Sequence, residues 1–204
     1  MQEIRKGKTI LGIDPGTRLM GHGVVKTDGQ HFECKEMGVL DLRKEPDPLR
    51  RLELILEEVL RLIEAYAPQY LSIESPFYGK NVQALLKLGR AQGVAIAASL
   101  SKGLEVHEYS PREIKQSLTG KGSASKEQVC AMALRLTGMQ GEAPKHLDAT
   151  DALAAAICHG IHSRFDDLRE KAAPEGLSPL SAAKTARKKS SWAEFLSSHP
   201  DRIK

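Results

Sequence analysis

The chain has 204 residues, of which 41% are hydrophobic and only 4% aromatic; that length supports one domain with a sizeable core built from Leu, Ile, Val and Ala. No apolar run reaches the ~18 residues of a membrane helix, the charged start MQEIRKGKT lacks a signal-peptide apolar stretch, and Cys34, Cys130 and Cys158 form no CxxC pair. A membrane protein, a disulfide scaffold and a zinc ribbon are thereby excluded, and a cytoplasmic protein with no membrane partner is expected. The net charge of +4 conceals zoning: residues 79–126 carry eight bases against three acids, residues 176–204 six against two, and the remainder is net negative. A polyanion held beside an acidic metal pocket fits this zoning, as does an ordinary solvated surface.

Residues 8–14 read as a buried strand, followed by strands over 21–27 and about 31–40 with a DGQ turn between the last two, so a hairpin or meander opens the chain. Leu49, Leu52, Ile55, Leu56, Val59, Leu60 and Ile63 then fall at helical spacing behind Pro46 and Pro48, and Pro68 ends that region. YLSIES (70–75) is a short strand stopped by Pro76. Residues 81–101 form a second helix whose Gly89, Gly93 and alanines give a small-residue face, suited to the core or to a dimer contact. LEVHEYS (104–110) is a further strand. Ser110, Pro111 and Glu113 mark a helix start that runs to about Leu118.

After TGKGSAS, a helix is expected over about Lys126–Thr137, then a loop GMQGEAPKH, then a last clear helix opened by Asp148 through DATDALAAAICHGIHSRF. The order βββαβαβααα indicates a mixed α/β sheet of five strands flanked by helices. Residues 1–171 are expected to form this domain. Residues 172–204 read as a basic, flexible tail. Its Trp192, Phe195 and Leu196 share one helical face, as a small docking helix or a frayed end.

Two strands end on carboxylates, Asp14 and Glu74, and sites in open α/β sheets gather at the C-terminal ends of parallel strands. Asp148 and Asp151 are three apart at a helix start and share a face. Singly, each has an ordinary explanation: a DPG turn residue, a solvated strand end, first-turn aspartates that favour the helix dipole. Jointly, four acids at one edge would repel unless a cation offset them. All-oxygen ligands suit Mg²⁺ or Mn²⁺. Two such ions are the usual device for in-line phosphodiester cleavage.

ILGIDPGTRLMGHGVV, LSIESPFYGKNVQALLKLGRAQGVAI, YSPREIKQSLTGKGSASKEQV and HLDATDALAAAICH resemble, in order and spacing, the RuvC family of Holliday-junction resolvases over residues 9–163. The resemblance implies an RNase H-like fold and a homodimer. It implies Mg²⁺-dependent paired, symmetrical nicking of four-way DNA junctions at TT-containing sites, with two ions per site and Mn²⁺ able to substitute. Branch-migration partners of the RuvA and RuvB type are implied too. The family's catalytic and metal-binding acids fall on Asp14, Glu74, Asp148 and Asp151.

Phe77 matches the family aromatic that stacks on an unpaired base, an interaction typically worth ~1–3 kcal/mol; its other reading is a core Phe. Lys115 and Lys126 match lysines near the scissile phosphate, with solvated lysines as the other reading. Lys80, Lys87, Arg90 and Arg112 are further phosphate contacts in this reading. His146, two residues before Asp148, joins the metal site as ligand or proton carrier, or is a loop histidine beside it. GIDPGT also resembles the first phosphate loop of actin-like ATPases, but those clamp ATP between two such domains, more than 204 residues supply. GKGSASK does not have P-loop spacing. A non-catalytic junction-binding module is a third reading, which the four acids oppose.

Overall fold

Alternation of apolar side chains across β1 (Lys8–Asp14) and β2 (Leu19–Thr27) sends residues to two different helical layers. In β1, Leu11 and Ile13 enter one core while Ile10 enters the other; in β2, Met20 and Val24 enter the first and Val25 the second. The computed structural model describes residues 7–75, 81–139 and 146–172. β1, β2 and β3 (Phe32–Asp41) form the expected antiparallel meander. β4 (Tyr70–Glu74) adds parallel to β1 and β5 (Glu105–Tyr109) parallel to β4, giving a mixed five-stranded sheet in the order β3-β2-β1-β4-β5. β2 begins two residues before the expected start, because Leu19 pairs with Asp41.

One face carries α1 (Pro48–Tyr66) and α2 (Val82–Ser101), packed on Leu11, Ile13, Leu71 and Ile73. Asp47 caps α1 by accepting from the Leu49 N–H at 2.9 Å, and Pro48 occupies the first turn, where no donor is lost. The other face carries α3 (Pro111–Thr119), α4 (Lys126–Leu136) and the first turns of α5 (Leu147–Ala172), packed on Ile10 and Val25. α3 starts on a full capping box of Ser110 and Glu113, and α4 on one of Ser125 and Gln128. Among the described residues both cores are aliphatic, with no aromatic fully buried, and all three cysteines are free. Each large aliphatic side chain buried there stabilises by roughly 1.5–3 kcal/mol.

α5 runs seven residues beyond the expected helix end at Phe165. A unit boundary falls between Arg164 and Phe165. The expected tail from residue 173, with Trp192, Phe195 and Leu196, lies outside the described residues. Gly89 and Gly93 of α2 are not core contacts: a Cβ on either would meet nothing within 4 Å among the described residues. Ala91, Gln92, Ala95, Ala98 and Ser99 form the buried side instead. Among the described residues, no helix is long and apolar enough to cross a membrane.

Candidate active site

Three glycines let α5 lie directly on the sheet. A Cβ on Gly12 would stand 2.1 Å from the Ala152 carbonyl oxygen, one on Gly21 1.9 Å from that of Asp148, and one on Gly23 2.8 Å from the Leu153 Cα. Any side chain there would push the helix away. Ala149, Ala152, Ala155 and Ala156 supply the matching small surface on α5. The buried Ser72 hydroxyl donates to the Ala155 carbonyl at 2.6 Å, which ties β4 to the same helix.

This close seat delivers the first turn of α5, with Asp148 and Asp151, to the ends of β1 and β4. Those strands pair in parallel through Ile13 and Ile73, so the next residues, Asp14 and Glu74, emerge side by side. α3 contributes Lys115 and α4 its first residue, Lys126. Asp14, Glu74, Asp151, Lys115 and Lys126 line a cavity of about 130 Å³ whose apolar wall is Pro111, Ile114 and Val129. Asp148 is outside the lining but close enough to act on Asp14 electrostatically.

The charges are poorly compensated. Lys126 Nζ donates to Asp151 Oδ2 at 2.6 Å. Burial, then the charges of Glu74 and Asp151, push the Asp14 carboxyl up to about 8, with Lys126 opposing and Asp148 adding to the rise. Burial and then Asp151 raise Glu74, against Lys126 and Lys115. Burial pulls Lys126 down, but its hydrogen bond to Asp151 and the neighbouring acids outweigh this and leave it raised. Acids that cannot all ionise together are the donor set a divalent cation fits, because its charge removes the repulsion that holds the protons on.

Asp14, Glu74, Asp151, Lys115 and Lys126 are thus brought to one cavity, with Asp148 at its margin. Phe77 and Lys80 lie outside the described residues. Lys87, Arg90 and Arg112 are exposed, and none lines the cavity. His146 is half-buried just before α5 and makes no hydrogen bond or ion pair with the acids among the described residues.

The sequence reading missed the glycines that seat α5, although GxG in β2 facing an alanine-rich helix is a recognisable sign of close backbone approach. It also missed Arg51 of α1, which donates to the Thr17 carbonyl at 3.2 Å and the Glu45 carbonyl at 2.6 Å and so anchors the turn that follows Asp14. No local sequence signal marks that arginine.

A family model described as "Crossover junction endodeoxyribonuclease RuvC" matches residues 10–159. A protein of that name from Bacteroides fragilis is 46% identical over 98% of this chain and 97% of its own length. Another, from Cytophaga hutchinsonii, is 44% identical over 97% of this chain and 88% of its own. Among solved structures, Thermus thermophilus RuvC in complex with Holliday junction substrate superposes with a TM-score of 0.73 at 30% identity, covering 78% of this chain and 96% of that one. The yeast mitochondrial Holliday junction resolvase Ydc2, at 14% identity and a TM-score of 0.60, shares the fold.

Proposed function

The chain belongs to the RuvC family of crossover junction endodeoxyribonucleases, and from that premise we propose that it resolves four-way DNA junctions by paired, symmetrical, metal-dependent nicks in strands of like polarity. The observation that carries the reading is the convergence of Asp14, Glu74 and Asp151 on one cavity, with Asp148 beside it and two lysines in its wall. In this reading the four acids hold two Mg²⁺ ions, or Mn²⁺ in their place. When bound, such ions lower the pKa of a water and stabilise the leaving 3′ oxygen.

The protein's own groups do the rest. Asp14 and Glu74 follow the paired residues Ile13 and Ile73 on adjacent buried strands, so their spacing is held rigidly. Asp14 and Glu74, whose carboxyls are raised, would be held in the ionised form by a bound divalent cation. Lys126, half-exposed and bonded to Asp151, is placed to exchange that carboxylate for a phosphate oxygen. Lys115 lines the same cavity, and together they hold the phosphodiester as negative charge develops. Phe77 stacks on an unpaired base near the cut, and His146 adjoins the acids as a further ligand or proton carrier.

Two nicks require two sites, and α2 supplies a surface for a homodimer. Val82, Leu86, Gly89, Gly93, Ala97 and Leu100 form one exposed apolar and small-residue stripe at spacings of three or four; Val82 is 64% exposed, Leu86 57% and Leu100 57%. RuvA- and RuvB-type branch-migration proteins are the further partners, and the cytoplasm the compartment.

A synthetic four-way junction labelled on each strand tests the proposal, with nicks mapped at nucleotide resolution. Symmetrical nicks that require a divalent ion are expected. Junction binding without nicking in Mg²⁺ or Mn²⁺ would identify a non-catalytic module, and ATP hydrolysis without DNA an ATPase. Phe77→Ala should keep junction binding and slow single-turnover nicking. Unchanged nicking would make that aromatic structural.

A further inference from the structure

A second group of ligating side chains lies on the opposite sheet face. Gly21 and Gly23 meet α5, so His22 between them points to the α1 side. Its ring is seated against Gly38 of β3, where a Cβ would stand 2.7 Å from Nε2; the sheet is carved to admit the imidazole. His22 is only 5% exposed. Two carboxylates approach it from different elements: Glu36 of β3, with Oε1 3.4 Å from Nε2, and Glu58 of α1, with Oε1 3.5 Å from Nδ1. The Nδ1 atom has no hydrogen-bond partner among the described residues, an expensive state for a buried polar group.

Arg61 is the cation already present. Its guanidinium lies 2.5 Å from Glu36 Oε1 and 2.8 Å from Glu58 Oε1, and the Tyr66 hydroxyl donates to Glu36 Oε2 at 2.6 Å. Two carboxylates against one guanidinium leave a net negative charge beside an imidazole that burial keeps in its neutral, ligating form. One His22 nitrogen and one oxygen from each glutamate all lie within 4.8 Å of one another.

We propose that His22, Glu36 and Glu58 form a binding site for a divalent transition-metal ion of the zinc class, which enters by displacing Arg61 into solvent. One imidazole and two carboxylates suit a borderline ion, in contrast to the all-oxygen set at the β1 tip, which suits Mg²⁺. Metal–ligand bonds of ~2.0–2.2 Å require the three donors to close to roughly 3.3 Å apart. Both glutamates gain that freedom once Arg61 lets go. The Arg61 side chain is 47% exposed, so its charge is rehydrated as it leaves. The bound ion joins β2, β3 and α1 and satisfies the orphaned nitrogen, so its role is to brace the β2–β3 edge, apart from the nuclease chemistry.

The test uses the full chain carrying Asp14→Asn and Asp148→Asn, which disables the oxygen-only site. Co²⁺ is the probe, followed by equilibrium dialysis and visible absorption. About one Co²⁺ per chain should be retained in excess Mg²⁺ and displaced by Zn²⁺. Zn²⁺ at a hundredfold excess over its Kd should raise the unfolding midpoint by roughly 5 °C or more. Adding Glu58→Gln should weaken Co²⁺ binding at least tenfold, and His22→Ala should abolish it. Arg61→Gln decides the matter if His22→Ala does not fold: removing the competing cation should tighten Co²⁺ binding about tenfold and make the midpoint more dependent on Zn²⁺. No retained Co²⁺, retention indifferent to Glu58→Gln, or weaker binding in Arg61→Gln overturns the proposal.

Discussion

Carboxylates are gathered on both faces of the sheet, and their protonation runs in opposite directions. On the α5 face, Asp14 is pushed up to about 8 and Glu74 is also raised, first by burial and then by neighbouring acids. On the α1 face, hydrogen bonds from Arg61 hold both Glu36 and Glu58 below the usual carboxylate range. All four are carboxylates held by one sheet and its covering helix. The difference lies in the supply of donors. Arg61 serves both glutamates at once, whereas Lys126 is bonded to Asp151, and no hydrogen bond or ion pair reaches Asp14 or Glu74 among the described residues. Where a guanidinium donates to the carboxylates they stay ionised; where no such donor reaches them they hold protons that a divalent cation can replace.

The largest expected effect comes from breaking the uncompensated side. Asp14→Asn should reduce junction nicking by ~10³-fold or more while leaving junction binding within a few-fold, measured by single-turnover cleavage and gel-shift titration. The same substitution should stabilise the metal-free protein. Folded Asp14 keeps its proton until about pH 8, whereas the unfolded carboxyl loses it near 3.8. The native state therefore binds more protons between those values, and its stability falls as pH rises through them. Asp14→Asn should be more stable than its parent at pH 8 by on the order of 2–4 kcal/mol and nearly equal to it at pH 4, by urea unfolding without metal. Equal stability at both pH values would remove the charge imbalance from which the comparison starts.

Next in size is the seat of α5. Gly21→Ala places a methyl group where the Asp148 carbonyl oxygen now lies. It should cost about 1–3 kcal/mol and lower nicking by at least tenfold, because Asp148 and Asp151 move together away from Asp14. Wild-type nicking in a destabilised Gly21→Ala protein would show that the spacing of the acids tolerates the shift.

Acid should act on the α5 face through His159. Its Nδ1 lies 2.9 Å from the Tyr109 hydroxyl, and its ring stacks on His107 at 4.1 Å. Burial, then the charges of His107, Lys8 and His162, lower its pKa from 6.5 to about 3. The unfolded chain takes up this proton and the folded one does not, so stability falls as pH drops from 6.5 toward 3. The slope is at most about 1.4 kcal/mol per pH unit for one proton. His159→Phe should flatten that acid slope in urea titrations between pH 7 and 5. Smallest is Ser72→Ala: losing the hydroxyl that holds the Ala155 carbonyl should cost about 1 kcal/mol. A slight fall in nicking should accompany it if β4 and α5 are coupled as their contact indicates.

Much of the architecture was legible because it is written locally. Ser110, Pro111 and Glu113 announced the start of α3, and the capping box is formed. The apolar spacing from Leu49 to Ile63 marked α1, and the tips of β1 and β4 fell on the carboxylates that close their strands. Gly89 and Gly93 were less informative, since a stripe of small residues fits a core or an interface equally well. Only the surroundings of α2 show that no described residue packs on them. His22, Glu36 and Glu58 were invisible, because no repeat or motif links residues of a strand, its neighbour and a helix.

The sequence by itself determined the order and approximate extents of the strands and helices, that the core is aliphatic, and which acids stand at strand tips and at a helix start. These follow from periodicity, capping and chain punctuation, which act over a few residues. Tertiary structure alone decided that α5 lies close enough to set Asp151 beside Asp14, that Lys126 bonds one acid and leaves the others short of charge, and that His22 faces two glutamates. Burial and Coulomb interactions depend on distance through space, and residues 14 and 151 become neighbours only when Gly12, Gly21 and Gly23 let a helix rest on the backbone of the sheet.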